Sequence, residues 1–133
     1  MALPARMDET HPLLASVLRF YRYLELRDLA RLGQLLDDDA VWIAATGPPP
    51  GMSLHGRHEI LTHLARRIND SGGTFTARAV EVFCGGDGSV IVVQEEPDEA
   101  GADPATTALV RIEGRAAMSR IVTFSAAHRT ENP

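Results

Sequence analysis

Near the N-terminus the apolar residues keep a helical spacing. Between His11 and Leu26, the residues Leu13, Leu14, Val17, Leu18, Phe20, Tyr21 and Leu24 recur at i, i+3, i+4 and i+7, which lines one face of an α-helix. Thr10 or His11-Pro12 opens this helix, because proline has no N–H to lose in a first turn. Asp28 is a good N-cap for a second, shorter helix over Leu29 to Leu36, with Leu29, Leu32, Leu35 and Leu36 inward and Gly33 as its weak point. Asp37-Asp38-Asp39 ends it, since carboxylates oppose the negative pole of a helix. A strand from Ala40 to Ala45 follows. Gly47 to Gly51 encloses three consecutive prolines, which supply no N–H donors, and reads as a rim loop. Arg57 to Asn69 is helical again, with Ile60, Leu61, Leu64 and Ile68 on one stripe and His63, Arg66 and Arg67 towards the other side. Ser71-Gly72-Gly73 stops it.

From Thr74 onward the period changes to two, the signature of strands. Thr74 to Cys84 and Ser89 to Glu96 form a hairpin about Gly85-Gly86-Asp87-Gly88. Pro97 to Pro104 is a solvated loop. Thr106 to Ile112 and Met118 to Ser125 form a second hairpin around Glu113-Gly114-Arg115. Helices first and an antiparallel meander afterwards predict an α+β fold. The expected organisation is one domain over 10–127, with a flexible arm at 1–9 and a flexible tail at 128–133.

Composition narrows the function. The chain of 133 residues is 44% hydrophobic and 23% charged, ordinary proportions for a packed globular domain. All 13 basic residues are Arg, yet the net charge is −5, which argues against a partner bound through its phosphate backbone, such as nucleic acid. Cys84 is the only cysteine, so no intramolecular disulfide and no thiolate-rich metal site can form, and a reducing, cytoplasmic home is expected. The first twelve residues carry no continuous apolar run, so neither a signal sequence nor a membrane partner is expected.

An ordered set of residues carries a resemblance: Val17-Leu18-Arg19-Phe20-Tyr21, Arg27-Asp28-Leu29, Leu35-Leu36-Asp37-Asp38, Val41-Trp42, His55-Gly56-Arg57-His58-Glu59-Ile60 and the closing Glu113-Gly114-Arg115. Together these resemble the SnoaL-like branch of the nuclear transport factor 2-like superfamily. The resemblance implies a cone-shaped α+β barrel, a curved antiparallel sheet wrapped around three helices, commonly dimeric. Polyketide cyclases, ketosteroid isomerase, epoxide hydrolases and non-catalytic binding modules share it. Where ketosteroid isomerase carries a Tyr, a base and a second acid, the resemblance lays Phe20, Ala44 and Ala108, none of which transfers a proton. The acid of the epoxide hydrolases and cyclases in the last strand is missing too, that stretch being Ser119-Arg120-Ile121-Val122-Thr123.

The expected pocket is apolar, walled by Phe20, Trp42, Ala44, Val93, Ala108 and Ile121, and takes a small hydrophobic organic molecule. Alternation puts Ile91, Val93 and Glu95 on its inner face or, one register off, Val92 and Gln94. In the first register Glu95 is the acid aimed at the pocket, where an apolar surround suits it to proton transfer. His63 or His55 at the mouth is a second candidate proton carrier; as a bland alternative His63 pairs with Glu59 at i,i+4 on the surface. His55, His58 and His63 lack the i,i+4 spacing of a helical metal pair, so neither a metal nor another cofactor is expected. Cys84 reads as a buried, inert thiol, and Arg111 and Arg120 as outer-face residues of the last hairpin. A convex face bearing Val92, Val122 and Phe124 is apolar enough to need cover, which predicts a homodimer. Two functions remain: an acid–base cyclase, isomerase or epoxide-opening enzyme of specialised metabolism, or a ligand-binding or dimerisation module without catalysis.

Overall fold

The computed structural model describes residues 11–45, 51–96 and 106–125. The expected arm at 1–9, the tail at 128–133, most of the proline loop and the loop 97–104 lie outside the described residues. Three helices and six strands follow in the order α1 (Pro12–Glu25), α2 (Leu29–Gly33), β1 (Leu36–Ala44), β2 (Met52–His55), α3 (Arg57–Asp70), β3 (Arg78–Cys84), β4 (Val90–Glu96), β5 (Thr106–Gly114) and β6 (Met118–Ser125). The fold is α+β, as the change of period implied.

One six-stranded sheet has the order β2-β1-β6-β5-β4-β3. Neighbours are antiparallel except β1 and β6, which run parallel with Trp42 opposite Ile121 and Ala44 opposite Thr123. α1 lies across β3 to β6, and α3 lies on β1 and β2. The inner face of the sheet gives Val90, Val92, Val110, Ile112 and Ile121 to the core, against Leu13, Val17, Phe20 and Leu24 of α1 and Ile60 and Leu64 of α3. Alternating strand residues and a helical stripe thus meet in one apolar layer, the main source of stability in such a fold.

Caps fix the helix starts. His11 Nδ1 accepts from the Leu14 amide at 3.2 Å, and Asp28 Oδ1 accepts from the Arg31 amide at 3.2 Å. α3 begins at Gly56, where Glu59 Oε1 reaches back to the His55 amide at 2.8 Å, so Glu59 caps the helix instead of pairing with His63. Arg27 sits at φ 57° and donates from its guanidinium to the carbonyls of Glu25, Gly73 and Phe75, tying the end of α1 to the segment beyond α3.

Several expectations are corrected. The second helix stops at Gly33 instead of Leu36, because Leu36 and the three aspartates start β1, where the acids face solvent and Leu36 and Ala40 enter the core. Gly33 is buried against α3; a Cβ there would lie 2.8 Å from Leu61 Cδ1, so the apparent weak point is a close helix–helix approach. The short strand β2 was not anticipated. β3 starts at Arg78, four residues later than the alternation suggested. Cys84 is exposed, being at the end of an edge strand, and not buried. Val92 is fully buried in the core; the apolar residues of the convex face include Phe83, Ile91, Val93, Leu109 and Phe124, with Val122 beside them. Arg111 is on that outer face as expected, paired with Asp87 and Glu113.

Candidate functional site

The pocket of interest lies between α1, α3 and the inner face of the sheet. Its aromatic wall is a run of edge-to-face contacts: Phe20 to Tyr21 at 5.3 Å between ring centres, Phe20 to Trp42 at 6.5 Å, and Trp42 to the His63 imidazole at 6.2 Å. Val110, Ile112 and Ile121 from β5 and β6 form the apolar floor, and Phe75 and Ala77, just before β3, close one side. A cavity of about 30 Å³ remains between them, room for about one water molecule.

One hydrogen-bonded chain crosses this apolar lining. Tyr21 Oη donates to Gln94 Oε1 at 2.7 Å, Gln94 Nε2 donates to Glu96 Oε2 at 3.1 Å, and Arg67 Nη2 donates to Glu96 Oε1 at 3.0 Å. A carboxylate only accepts and the phenol O–H donates, so the chain fixes which end of the Gln94 amide is oxygen. The Arg67 guanidinium also stacks 4.2 Å from the Phe75 ring centre. Polarity therefore increases along the chain from the buried phenol to the exposed guanidinium.

Electrostatics separate the roles of these groups. Burial, with the nearby Glu96 carboxylate adding to it, raises the Tyr21 phenol well above its ordinary range, so it stays neutral and a donor. His63 is lowered, first by burial and then by the Arg67 and Arg66 guanidinium groups, which favours a neutral imidazole with one nitrogen free to take a proton. Among the described residues no group of three His, Cys, Asp or Glu side chains is placed to hold a metal ion.

The site departs from the sequence expectations in instructive ways. Phe20, Trp42, His63 and Ile121 are brought together. Ala44 and Ala108 stand on the same sheet face but do not line the cavity. Glu95 and Val93 point the other way: β4 buries Val90, Val92 and Gln94, so alternation sends Val93 and Glu95 outward, where Glu95 pairs with Arg78 at 3.3 Å. The acid at the pocket is Glu96. Arg67, placed on the polar side of its helix by the sequence reading, follows Ile60 by seven, Leu64 by three and His63 by four residues; that spacing puts it over the pocket. Tyr21 and Phe75 were also missed, Tyr21 because a tyrosine in an apolar stripe reads as core.

A wider groove of about 510 Å³ is lined by Arg27, Leu29 and residues at the end of α3, but it is open to solvent and its one charged side chain is bonded to backbone carbonyls. No described helix is long and apolar enough to cross a membrane.

Comparison with known proteins gives the same fold. Bal32a from a soil-derived mobile gene cassette superposes with a TM-score of 0.78 at 22% identity over 87% of this chain and 90% of its own. A candidate ketosteroid isomerase from Kribbella flavida gives 0.73 at 17% identity, covering 95% and 85%. A protein of cystatin-like fold from Methylobium petroleophilum gives 0.72 at 12% identity, covering 92% and 80%. A search of curated proteins returns no match. The family profile described as SnoaL-like domain matches residues 17–124, which is most of the sheet, all three helices in whole or part, and the pocket between them. The chain belongs to the SnoaL-like domain family.

Proposed function

We propose that the protein binds a small, mainly apolar organic molecule in this pocket and transforms it by acid–base chemistry, as a cyclase, isomerase or epoxide-opening catalyst of specialised metabolism. The observation that carries the reading is the convergence of His63 and Glu96 on one aromatic-walled, apolar cavity. His63, neutral and partly buried, takes or returns a proton; Glu96 is the acid beside it. The second N–H of Gln94 Nε2 is the donor for a ligand oxygen on which charge develops. The reading calls on protein side chains alone. Similar structures named as candidate isomerases support the reaction class.

The cavity is smaller than the roughly 300–1,000 Å³ of a typical ligand site, so a ligand enters by displacing side chains at the mouth. That small volume, and Phe20, Ala44 and Ala108 at positions where the related isomerases carry proton-transferring groups, favour the second reading: a ligand-binding or dimerisation module without catalysis. A homodimer belongs to either reading. Val93, Leu109 and Phe124 are opposite one another across β4, β5 and β6, a continuous apolar row that a second copy related by a two-fold axis would cover.

Trp42, the only tryptophan, reports on the pocket. Titration with small cyclic ketones followed by its fluorescence tests binding, and deuterium uptake from heavy water at the carbon beside the carbonyl tests proton transfer. Exchange that is lost in His63→Gln or Glu96→Gln supports the enzyme. Binding with no exchange above the protein-free rate leaves the binding module.

A further inference from the structure

Of the residues lining the pocket, Arg67 is the exposed one; the others are buried or half-buried. Its place is held from two sides, by Phe75 beneath the guanidinium and by Glu96 through a single nitrogen, Nη2. Nε and Nη1 have no hydrogen-bond partner among the described residues. A planar guanidinium with open donors, stacked on an aromatic ring at the mouth of an apolar pocket, is suited to a planar two-oxygen anion. The adjacent Arg66 adds positive charge, while Glu96 is the one acid in the lining and is already bound to Arg67. The charge at the mouth is thus opposite in sign to the −5 of the whole chain.

We propose that the ligand of this pocket is a small organic acid with an apolar body, whose carboxylate takes Arg67 from Glu96 while its body occupies the aromatic cavity. This rests on the small-molecule reading above and gives it a substrate class. It also gives Arg67 two roles, as the side chain that must move for the cavity to enlarge and as the group that rewards the move with a new ion pair.

The test uses benzoate and its uncharged counterpart benzamide with the full chain. Trp42 fluorescence and calorimetry are expected to give benzoate at least about tenfold tighter than benzamide, a preference carried by the charge-assisted pair. Arg67→Gln is expected to abolish the preference, whereas Arg66→Gln, outside the lining, leaves it within about threefold. Glu96→Gln, which leaves Arg67 without its carboxylate partner, is expected to bind benzoate more tightly than the wild type does. Equal binding of the two probes, or an unchanged preference in Arg67→Gln, overturns the organic acid and leaves the pocket reading standing. Benzoate bound no more tightly by Glu96→Gln than by the wild type overturns the exchange at Glu96. No binding of either probe overturns the proposal and counts against the pocket reading as well, which the ketone titration then decides separately.

Discussion

Tyr21 and Gln94, 73 positions apart, share a buried hydrogen bond of 2.7 Å that joins the first helix to the fourth strand. Removing the phenol oxygen in Tyr21→Phe strands the Gln94 acceptor inside the core. The expected cost is about 1–3 kcal/mol in denaturant unfolding, larger than for a surface tyrosine.

The same phenol makes stability depend on alkaline pH. Its folded-state pKa is raised by burial above the ordinary 10, so its contribution is complete below pH 10 and declines as pH rises beyond that value. Tyr21→Phe should flatten this alkaline decline. Unfolding curves across that range, wild type against variant, measure it; parallel declines would show that another group is responsible.

His63 acts at the other end of the scale. Burial and two guanidinium groups lower its folded pKa below the ordinary 6.5, so its contribution is complete above pH 6.5 and is lost as pH falls through the folded value. Proton NMR should find this imidazole titrating below 6.5. His63→Gln should remove its share of the acid-side loss of stability.

Gly114 closes the last hairpin with no room for a side chain. A Cβ there would overlap the Ala117 carbonyl oxygen, a contact with backbone that no rotamer change relieves. Gly114→Ala is expected to cost about 2–3 kcal/mol by thermal or denaturant melts. Gly33→Ala, whose Cβ meets only the movable end of Leu61, should cost less.

Thr76 Oγ1 is buried with no hydrogen-bond partner among the described residues. Thr76→Val removes that unpaired hydroxyl at nearly constant shape, and the protein should become more stable by up to about 1 kcal/mol. A clear loss of stability would mean that the hydroxyl has a partner in solution.

The architecture was legible because period carries it: Leu13 to Leu24 at helical spacing, Ala108 to Ile112 at strand spacing. The identity of the pocket acid was not. Val90-Ile91-Val92-Val93 is apolar at every position, so alternation fixes two opposite registers equally well, and only the partner across the core, Tyr21, decides that Gln94 and hence Glu96 face inward. Asp37-Asp38-Asp39 hid the start of β1 because a polar run has no visible alternation; the pairing with β6 holds at Leu36 and resumes at Val41, with a register shift across the aspartates. Met52-Ser53-Leu54-His55 did alternate, half-buried with exposed, and that signal would have found β2.

The parallel pairing of β1 with β6 has a kinetic consequence. Ile43 lies opposite Val122, and β6 alone connects the β1–β2 hairpin to the ladder of β3, β4 and β5. Two half-sheets, β1 with β2 and β3 to β6, can each form from neighbouring segments, but they become one only when the free edge of β6 pairs with β1. Closing the long loop between β1 and β6 before any contact rewards it makes this the slow step of folding, and until then the facing edges of β1 and β6 stand open to pairing between chains.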